Sequence, residues 1–195
     1  MTFQRTPGPT AIAASELEGL IPAISEQADL NDWEDTNISE GTHWAFESRA
    51  SLRSDLLTSE YLKELHRRMF NSTWKWAGKF RLTEKNIGVP FYKIAVELKN
   101  LLDDVRYWIE HNTFPPDELA VRFHYRLVSI HLFPNGNGRH ARLAADLLAT
   151  RLGRPAFSWG RTNLADAGEA RTKYLQAISS ADRGDHEPLI AFARS

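Results

Sequence analysis

The stretch that decides the fold is HLFPNGNGRHAR, residues 131–142. It begins where one apolar helical pattern ends, passes through Gly136 and Gly138, and enters a second helical pattern. The unpaired N–H groups and partial positive charge of a helix start attract anions, and glycines let a phosphate chain approach the backbone. Arg139 and Arg142 are three residues apart, so both guanidinium groups lie on one helix face, where they can bind phosphate oxygens. The stretch therefore predicts an anion site.

His131 immediately precedes this loop. A neutral imidazole at that point could take a proton from an incoming hydroxyl group. A second interpretation stays open from the residues alone: a glycine-rich helix start with two surface arginines and a capped histidine. A P-loop is excluded, because the Gly-x4-Gly-Lys-Ser/Thr spacing is absent.

Hydrophobic residues at helical spacing on both sides of this stretch predict a mainly α fold. Gly88 and Pro90 interrupt the pattern within residues 80–94, which predicts a small β-hairpin flap. We therefore expect a helical bundle with one hairpin. Five helices are predicted, over residues 59–71, about 98–112, 116 or 117 to 130, about 137–152, and 161–181. A last short turn is predicted at Pro188.

Composition narrows the class of protein. A length of 195 residues favours one domain, with room for a short helical appendage. The net charge of -1 argues against direct nucleic-acid binding, and the absence of cysteine excludes disulfides, thiolate metal sites and a cysteine nucleophile. We see no signal peptide and no apolar run of membrane-spanning length, so we expect a soluble cytoplasmic protein without a membrane partner.

Charge is unevenly distributed along the chain. Residues 26–60 hold nine carboxylates against two arginines, whereas residues 131–154 hold four arginines against Asp146 alone. The acidic segment is either a solvated face or a segment that packs over the basic one and competes with an anionic ligand.

The stretch 131–142 resembles the signature of the Fic family, His-x-Phe-x-Asp/Glu-Gly-Asn-Gly-Arg-x-x-Arg. Residues 76–81 and 86–88 resemble the lead into the family's flap, and residues 171–185 resemble the helix after the signature. The resemblance implies a Fic domain over residues 50–195, after a flexible N-terminus at 1–14 and an inhibitory helical segment at 15–49. The whole chain is also similar to a Fic subgroup called mobile mystery protein B, which is found with mobile elements.

This resemblance implies a protein adenylyltransferase. His131 would deprotonate a Ser, Thr or Tyr hydroxyl of a target protein or of the chain itself. The hydroxyl would attack the α-phosphate of a nucleoside triphosphate, expected to be ATP, and pyrophosphate would leave. Phe133 would anchor the loop, and His124 and His140 are assigned to packing or surface. The phosphate chain would be held by the other signature positions, Gly136, Asn137, Gly138, Arg139 and Arg142.

Two signature positions modify this expectation. Asn135 stands where the family usually has the carboxylate that binds Mg²⁺, and an amide oxygen is a neutral ligand for such a cation. Metal dependence and the choice of nucleotide therefore stay open. Gly138 stands where the related Doc-type kinases carry a lysine, so the transferred group should not be the γ-phosphoryl.

Residues 36–41, TNISEG, resemble the Fic inhibitory motif Ser/Thr-x-x-x-Glu-Gly/Asn through Thr36, Glu40 and Gly41. The resemblance implies that Glu40 pairs with Arg142 and blocks the site of the γ-phosphate. The alternative is an ordinary carboxylate on a helix.

The flap would dock an extended segment of the target by strand addition, through Lys85, Asn86, Ile87, Gly88 and Val89. The alternative is a plain connecting hairpin. Three other functions stay open: a nucleotide-binding protein with low turnover, an enzyme that removes AMP from a target, and a toxin restrained by a separate partner.

Overall fold

Two helices that meet at the signature stretch form the centre of the computed structural model, α6 (Pro116–Ile130) and α7 (Asn137–Arg151). The structure describes residues 14–24, 27–161 and 168–195. Ala141, Ala144 and Ala145 of α7 are fully buried, and α7 packs against α6 and α4. α7 is thus the most enclosed element, and its first turn carries the candidate site.

The described residues form nine α-helices and two short 3₁₀ helices. The other elements are α1 (Ala14–Leu17), α2 (Gln27–Glu47), α3 (Arg49–Arg53), α4 (Ser59–Phe70), the 3₁₀ turn Phe91–Lys93, α5 (Ile94–Glu110), the 3₁₀ turn Trp159–Arg161, α8 (Glu169–Ala181) and α9 (Glu187–Arg194).

Local sequence explains where the helices near the site begin. Thr58 caps α4, because its hydroxyl accepts a hydrogen bond from the N–H of Tyr61 at 3.1 Å. α6 begins at Pro116, followed by Asp117 and Glu118, which are favourable residues in a first turn. The predicted helices that begin at residues 59 and 116 are therefore confirmed.

The first part of the acidic segment forms α2, which packs against α4 and contacts α7. Gly41 lies at the α2–α4 contact, where an added Cβ would lie 2.8 Å from the backbone of Met69. The buried side chain of Asn37 accepts a hydrogen bond from the N–H of Ser72 at 3.0 Å, just after α4 ends. These contacts fix α2 against the helices that carry the site.

Two predicted elements differ from the structure. The β-hairpin within residues 80–94 is wrong: residues 81–90 form an irregular loop, and the described part of the chain contains an isolated bridge between Leu20 and Trp74 but no strand. The helix predicted from residue 161 begins at Glu169, because Gly168 adopts an extended conformation. Residues 162–167 lie outside the described ranges, as do residues 1–13 of the predicted flexible N-terminus.

The turn predicted at Pro188 is a helix of eight residues, Glu187–Arg194. Across residues 14–24, 27–161 and 168–195, no helix is both long and apolar enough to cross a membrane.

Candidate active site

His131 terminates α6 in a left-handed backbone conformation, with φ 60° and ψ 68°. A left-handed residue ends a helix because it turns the chain away from the helix axis. His131 is almost fully buried, so its imidazole lies inside the protein rather than on a solvated surface. The structure thus places the predicted base at the junction between α6 and the loop.

The side chain of Asn137 closes the loop on itself. Its Oδ1 accepts a hydrogen bond from the N–H of Phe133 at 2.9 Å, and its Nδ2 donates to the carbonyl of Phe133 at 2.7 Å. This amide therefore shapes the loop, and Asn137 can contribute only its backbone to the predicted anion cradle. Phe133 is fully buried, as expected of a loop anchor.

Gly136 precedes α7 with φ 75°, a conformation that glycine adopts without steric cost. An added Cβ would also lie 2.5 Å from the ring of Phe70. Among the described residues, no side chain caps the N-terminus of α7. The first turn of α7 therefore presents backbone N–H groups and a partial positive charge that a phosphate group could use.

Sequence reasoning missed His66, a fully buried residue of α4 beneath the loop. Its ring stacks on Phe133 with 3.7 Å between ring centroids. Its Nδ1 accepts a hydrogen bond from the N–H of Gly78 at 3.0 Å, so the proton lies on Nε2, which donates to the carbonyl of Asn135 at 3.1 Å. Burial holds the pKa of His66 well below its ordinary value. The signal in the sequence was the position of His66 on the apolar face of the helix predicted over residues 59–71.

Arg139 extends from the first turn of α7 toward α2. One of its guanidinium nitrogens lies 2.7 Å from Oε2 of Glu34, and the guanidinium lies 5.1 Å from the ring centroid of Phe70. The other carboxylate oxygen of Glu34 accepts a hydrogen bond from the indole N–H of Trp74 at 2.7 Å. Glu34 is therefore a buried carboxylate with two partners, one of which is a predicted phosphate ligand.

Arg142 is a half-buried residue of α7, and its guanidinium lies 5.8 Å from the ring centroid of Tyr174 on α8. Burial lowers the pKa of its guanidinium, and the nearby hydroxyl of Tyr174 opposes that shift. The charge of Arg139 also lowers the pKa of Arg142, so the two guanidinium groups are close enough to repel each other. Arg139 contacts Glu34 of α2 and Arg142 lies beside Tyr174 of α8, so a shared phosphate site for the two arginines stays a prediction.

The expected pair between Glu40 and Arg142 is not formed among the described residues. Glu40 is exposed on α2, and so is Thr36, whose hydroxyl donates to the carbonyl of Asp32 within the same helix. Glu34 lies six residues, or about 1.7 turns, earlier on α2, and its side chain reaches Arg139 at the start of α7 instead. α2 does contact α7, as the second interpretation of the acidic segment predicts, but the carboxylate that pairs with an arginine of α7 is Glu34.

Asn135 is a poor fit for a protein-held cation site. Its Oδ1 accepts a hydrogen bond from the N–H of Gly136 at 2.5 Å. Among the described residues, no group of three or more His, Asp or Glu side chains could hold a metal ion. The protein therefore offers one neutral oxygen that already has a partner.

The flap loop, residues 81–90, lies directly against the signature loop. The N–H of Val89 donates to the carbonyl of Ile130 at 3.3 Å, and a Cβ added to Gly88 would lie 2.6 Å from the Cβ of His131. Lys85 contacts Glu16 of α1 at 2.5 Å, whereas Asn86 is exposed and Ile87 is half-buried.

The sequence of this region matches a known family. Residues 56–149 match the model of the Fic/DOC family. These residues form a Fic/DOC family domain. Protein adenylyltransferase fic-1 of Caenorhabditis briggsae is 33% identical over an alignment of 153 residues that covers 72% of this chain and 29% of that protein. The chain thus spans under a third of the length of the curated relatives it matches.

Solved structures show the same fold. A fragment of Fic-1 from Caenorhabditis elegans aligns with a TM-score of 0.64 at 25% identity, covering 92% of this chain and 51% of that one. BepC, a VirB-translocated effector from Bartonella tribocorum with bound AMPPNP, aligns with a TM-score of 0.70 at 17% identity, covering 93% and 97%. The latter likeness shows the fold alone.

Two side chains that approach the arginines lie outside the matched segment of the Fic domain. Glu34 precedes it on α2, and Tyr174 follows it on α8. The environment of the signature arginines therefore depends on the flanking helices as well as on the matched residues.

Proposed function

We propose that this protein is a protein adenylyltransferase that transfers a nucleoside monophosphate, from ATP, to a hydroxyl group of a protein. One observation carries the proposal: a buried histidine ends α6 directly before an uncapped helix start that bears two neighbouring arginines. The relatives named protein adenylyltransferase support the choice of reaction.

In the proposed reaction His131 accepts the proton of a Ser, Thr or Tyr hydroxyl. The hydroxyl oxygen then forms a bond to the α-phosphorus, the bond between that phosphorus and the β-phosphate oxygen breaks, and pyrophosphate leaves. Arg139, Arg142 and the backbone N–H groups of Gly136, Asn137 and Gly138 stabilise the charge of the phosphate chain. The proton remains on the imidazole until solvent takes it.

Gly138 supports transfer of the nucleotidyl group rather than the γ-phosphoryl. A Cβ added there would meet nothing closer than the guanidinium of Arg142, at 3.7 Å. Because no side chain fills this space, the phosphate chain has room beside Arg142.

We further propose that Glu34 inhibits the enzyme. Its carboxylate is a buried anion on Arg139, so it competes with the phosphate chain for the same guanidinium. Nucleotide binding in the productive position then requires this ion pair to open. The inhibitory role that the motif at residues 36–41 predicted for Glu40 is reassigned to Glu34.

Mg²⁺, where the reaction uses it, would neutralise phosphate charge, and it would depend mainly on ligands other than the side chains of this protein. At the signature loop the protein could offer such an ion only the neutral Oδ1 of Asn135, which already accepts a hydrogen bond from the N–H of Gly136.

Intact-mass analysis tests the proposal. The full chain is incubated with Mg²⁺ and each of the four nucleoside triphosphates, as wild type, as Glu34→Gln and as Glu34→Gln with His131→Ala. We expect Glu34→Gln to gain one nucleoside monophosphate, either on itself or on proteins of an added lysate, and the double variant to gain none. Glu40→Gln is the matched control and should behave as wild type.

Other outcomes would contradict the proposal. Nucleotide binding without any mass gain would indicate the low-turnover binding protein, and a gain of one phosphoryl group would indicate a kinase. Loss of AMP from a target labelled beforehand, without transfer from ATP, would indicate the demodifying enzyme.

A further inference from the structure

Arg81 is a fully buried arginine at the start of the flap loop. Its Nε donates to the carbonyl of His131 at 2.7 Å, and its Nη1 donates to the carbonyl of Thr83 at 2.9 Å. Its Nη2 donates to the carbonyl of Val89. One guanidinium therefore binds the peptide of the proposed base and both limbs of the flap loop.

The backbone of Arg81 adds to this contact, since its N–H donates to the carbonyl of Leu132 at 3.0 Å. Carbonyl groups at the end of a helix lack partners within the helix, and a positive charge there also complements the helix dipole. A left-handed conformation is strained for a residue other than glycine, so His131 needs surrounding contacts that hold it. Arg81 supplies one contact to His131 itself and one to the next residue, Leu132.

The flap loop also packs closely against His131. Gly88 has φ 97°, and an added Cβ would lie 2.6 Å from the Cβ of His131 and 2.9 Å from Nη2 of Arg81. The space between flap and base thus admits no side chain. The guanidinium also explains why the loop lacks a hairpin ladder, because it takes the carbonyls of Thr83 and Val89.

We propose that Arg81 is a positioning residue that couples the flap loop to His131, so that the conformation of the flap sets the orientation of the imidazole. The inference rests on the proposed function only for the role of His131 as the base. A displacement of the flap by an ångström would move the base out of line, and misplacement of that size can lower a rate about 100-fold.

Two variants test this coupling. Gly88→Ala introduces a Cβ between the flap and His131, and Gly184→Ala is its matched control, because Gly184 has a similar φ of 91° with nothing within 4 Å of an added Cβ. Arg81→Lys keeps the charge but loses the planar set of donors. The side-chain NMR resonances of His131, assigned by comparison with His131→Ala, report on the imidazole without any need for activity.

We expect Gly88→Ala and Arg81→Lys to shift the His131 resonances and Gly184→Ala to leave them in place. In the Glu34→Gln background, kcat for transfer should fall about 100-fold in both test variants, while the Kd for ATP stays within about twofold. Unshifted resonances in Gly88→Ala, or an unchanged kcat despite shifted resonances, overturn the coupling. If the Glu34→Gln variant itself transfers no nucleotide, the proposed function fails, and the His131 resonances alone test the coupling. If Arg81→Lys does not fold, Gly88→Ala tests the coupling.

Discussion

Oε2 of Glu34 lies 2.7 Å from a guanidinium nitrogen of Arg139, and Oε1 accepts a hydrogen bond from the indole of Trp74. The carboxylate therefore has one partner in the candidate site and one in the core. Glutamine at this position removes the charge while it keeps an oxygen for the indole. We expect Glu34→Gln to lower the Kd for ATP about tenfold, because a hydrogen bond to a charged group contributes about 1.5–3 kcal/mol.

Isothermal titration calorimetry of ATP against wild type, Glu34→Gln and Glu40→Gln measures this effect. Glu40 is exposed on the same helix, so its substitution controls for the loss of one negative charge from α2. Equal affinities of Glu34→Gln and wild type would show that the ion pair does not oppose nucleotide binding.

His131→Ala should abolish transfer while ATP still binds. A general base contributes about 10²–10⁴-fold to a rate, whereas the proposed phosphate ligands lie elsewhere in the turn and in α7. Transfer rates and the Kd for ATP are measured together in the Glu34→Gln background. His111→Ala removes an exposed histidine at the end of α5 and should leave both quantities unchanged; transfer that survives His131→Ala would remove the assigned mechanism.

Asn135→Asp in the Glu34→Gln background should lower the Mg²⁺ concentration needed for half-maximal transfer. The introduced carboxylate adds a negative charge near the phosphate chain, and Mg²⁺ prefers charged oxygen ligands. A titration of Mg²⁺ at fixed ATP measures the change. Asn112→Asp is the control, because it makes the same change on an exposed residue after α5 and should leave the Mg²⁺ requirement unchanged. An unchanged Mg²⁺ requirement or reduced transfer in Asn135→Asp would argue against Mg²⁺ binding at this position.

Asp117 ties the start of α6 to the C-terminal helix α9. Hydrogen bonds from Arg194 and then from Arg154 lower the pKa of Asp117 from 3.8 to about 2. Because the folded pKa is below the unfolded value, this stabilisation is present above about pH 4 and is lost as the pH falls toward 2.

We therefore expect the difference in unfolding free energy between wild type and Asp117→Asn to be constant from pH 7 to about 5 and to shrink from 4 to 2. Urea denaturation across this range measures it. Asp35→Asn, at an exposed carboxylate on α2, should show a smaller change. Parallel pH profiles for wild type and Asp117→Asn would contradict the assignment.

Asp146 of α7 should show the opposite pH dependence. Burial raises its pKa from 3.8 to about 6, although its carboxylate accepts hydrogen bonds from the N–H of Phe157 and the indole of Trp159. A raised folded pKa gives a contribution that is full below about pH 4 and is lost as the pH rises through 6.

Asp146→Asn removes this titration, so its stability relative to wild type should increase between pH 4 and 7, by at most about 3 kcal/mol. Urea denaturation at several pH values is again the measurement. A constant difference between the two proteins would show that Asp146 does not titrate in this range.

Strong local signals explain what could be predicted from the sequence. The helices at residues 59 and 116 have capping or proline starts and periodic apolar faces, and the structure confirms them. The signature stretch was located because its loop and arginines are contiguous. His124 and His140 were assigned to packing or surface, and the structure shows that both are buried.

The features that were not predicted depend on contacts between residues that are distant in sequence. The choice between Glu34 and Glu40 is set by the rotation of α2 on α4, which a short motif does not specify. The flap differs from a hairpin because Arg81 takes carbonyls that a β-ladder would use. The boundary at residue 50, the cytoplasmic location, the link to mobile elements and the absence of nucleic-acid binding stay predictions.

Under the proposed inhibition, the two partners of Glu34 would make one side chain responsible both for inhibition and for part of the thermal stability of the fold. Trp74 is fully buried, and an apolar residue at position 34 would leave its indole N–H without the acceptor it has here. An unsatisfied buried donor costs about 1–3 kcal/mol. Among variants that remove the carboxylate, Glu34→Gln would therefore keep the stability of the fold. Glu34→Ala and Glu34→Gly would unfold at a lower temperature.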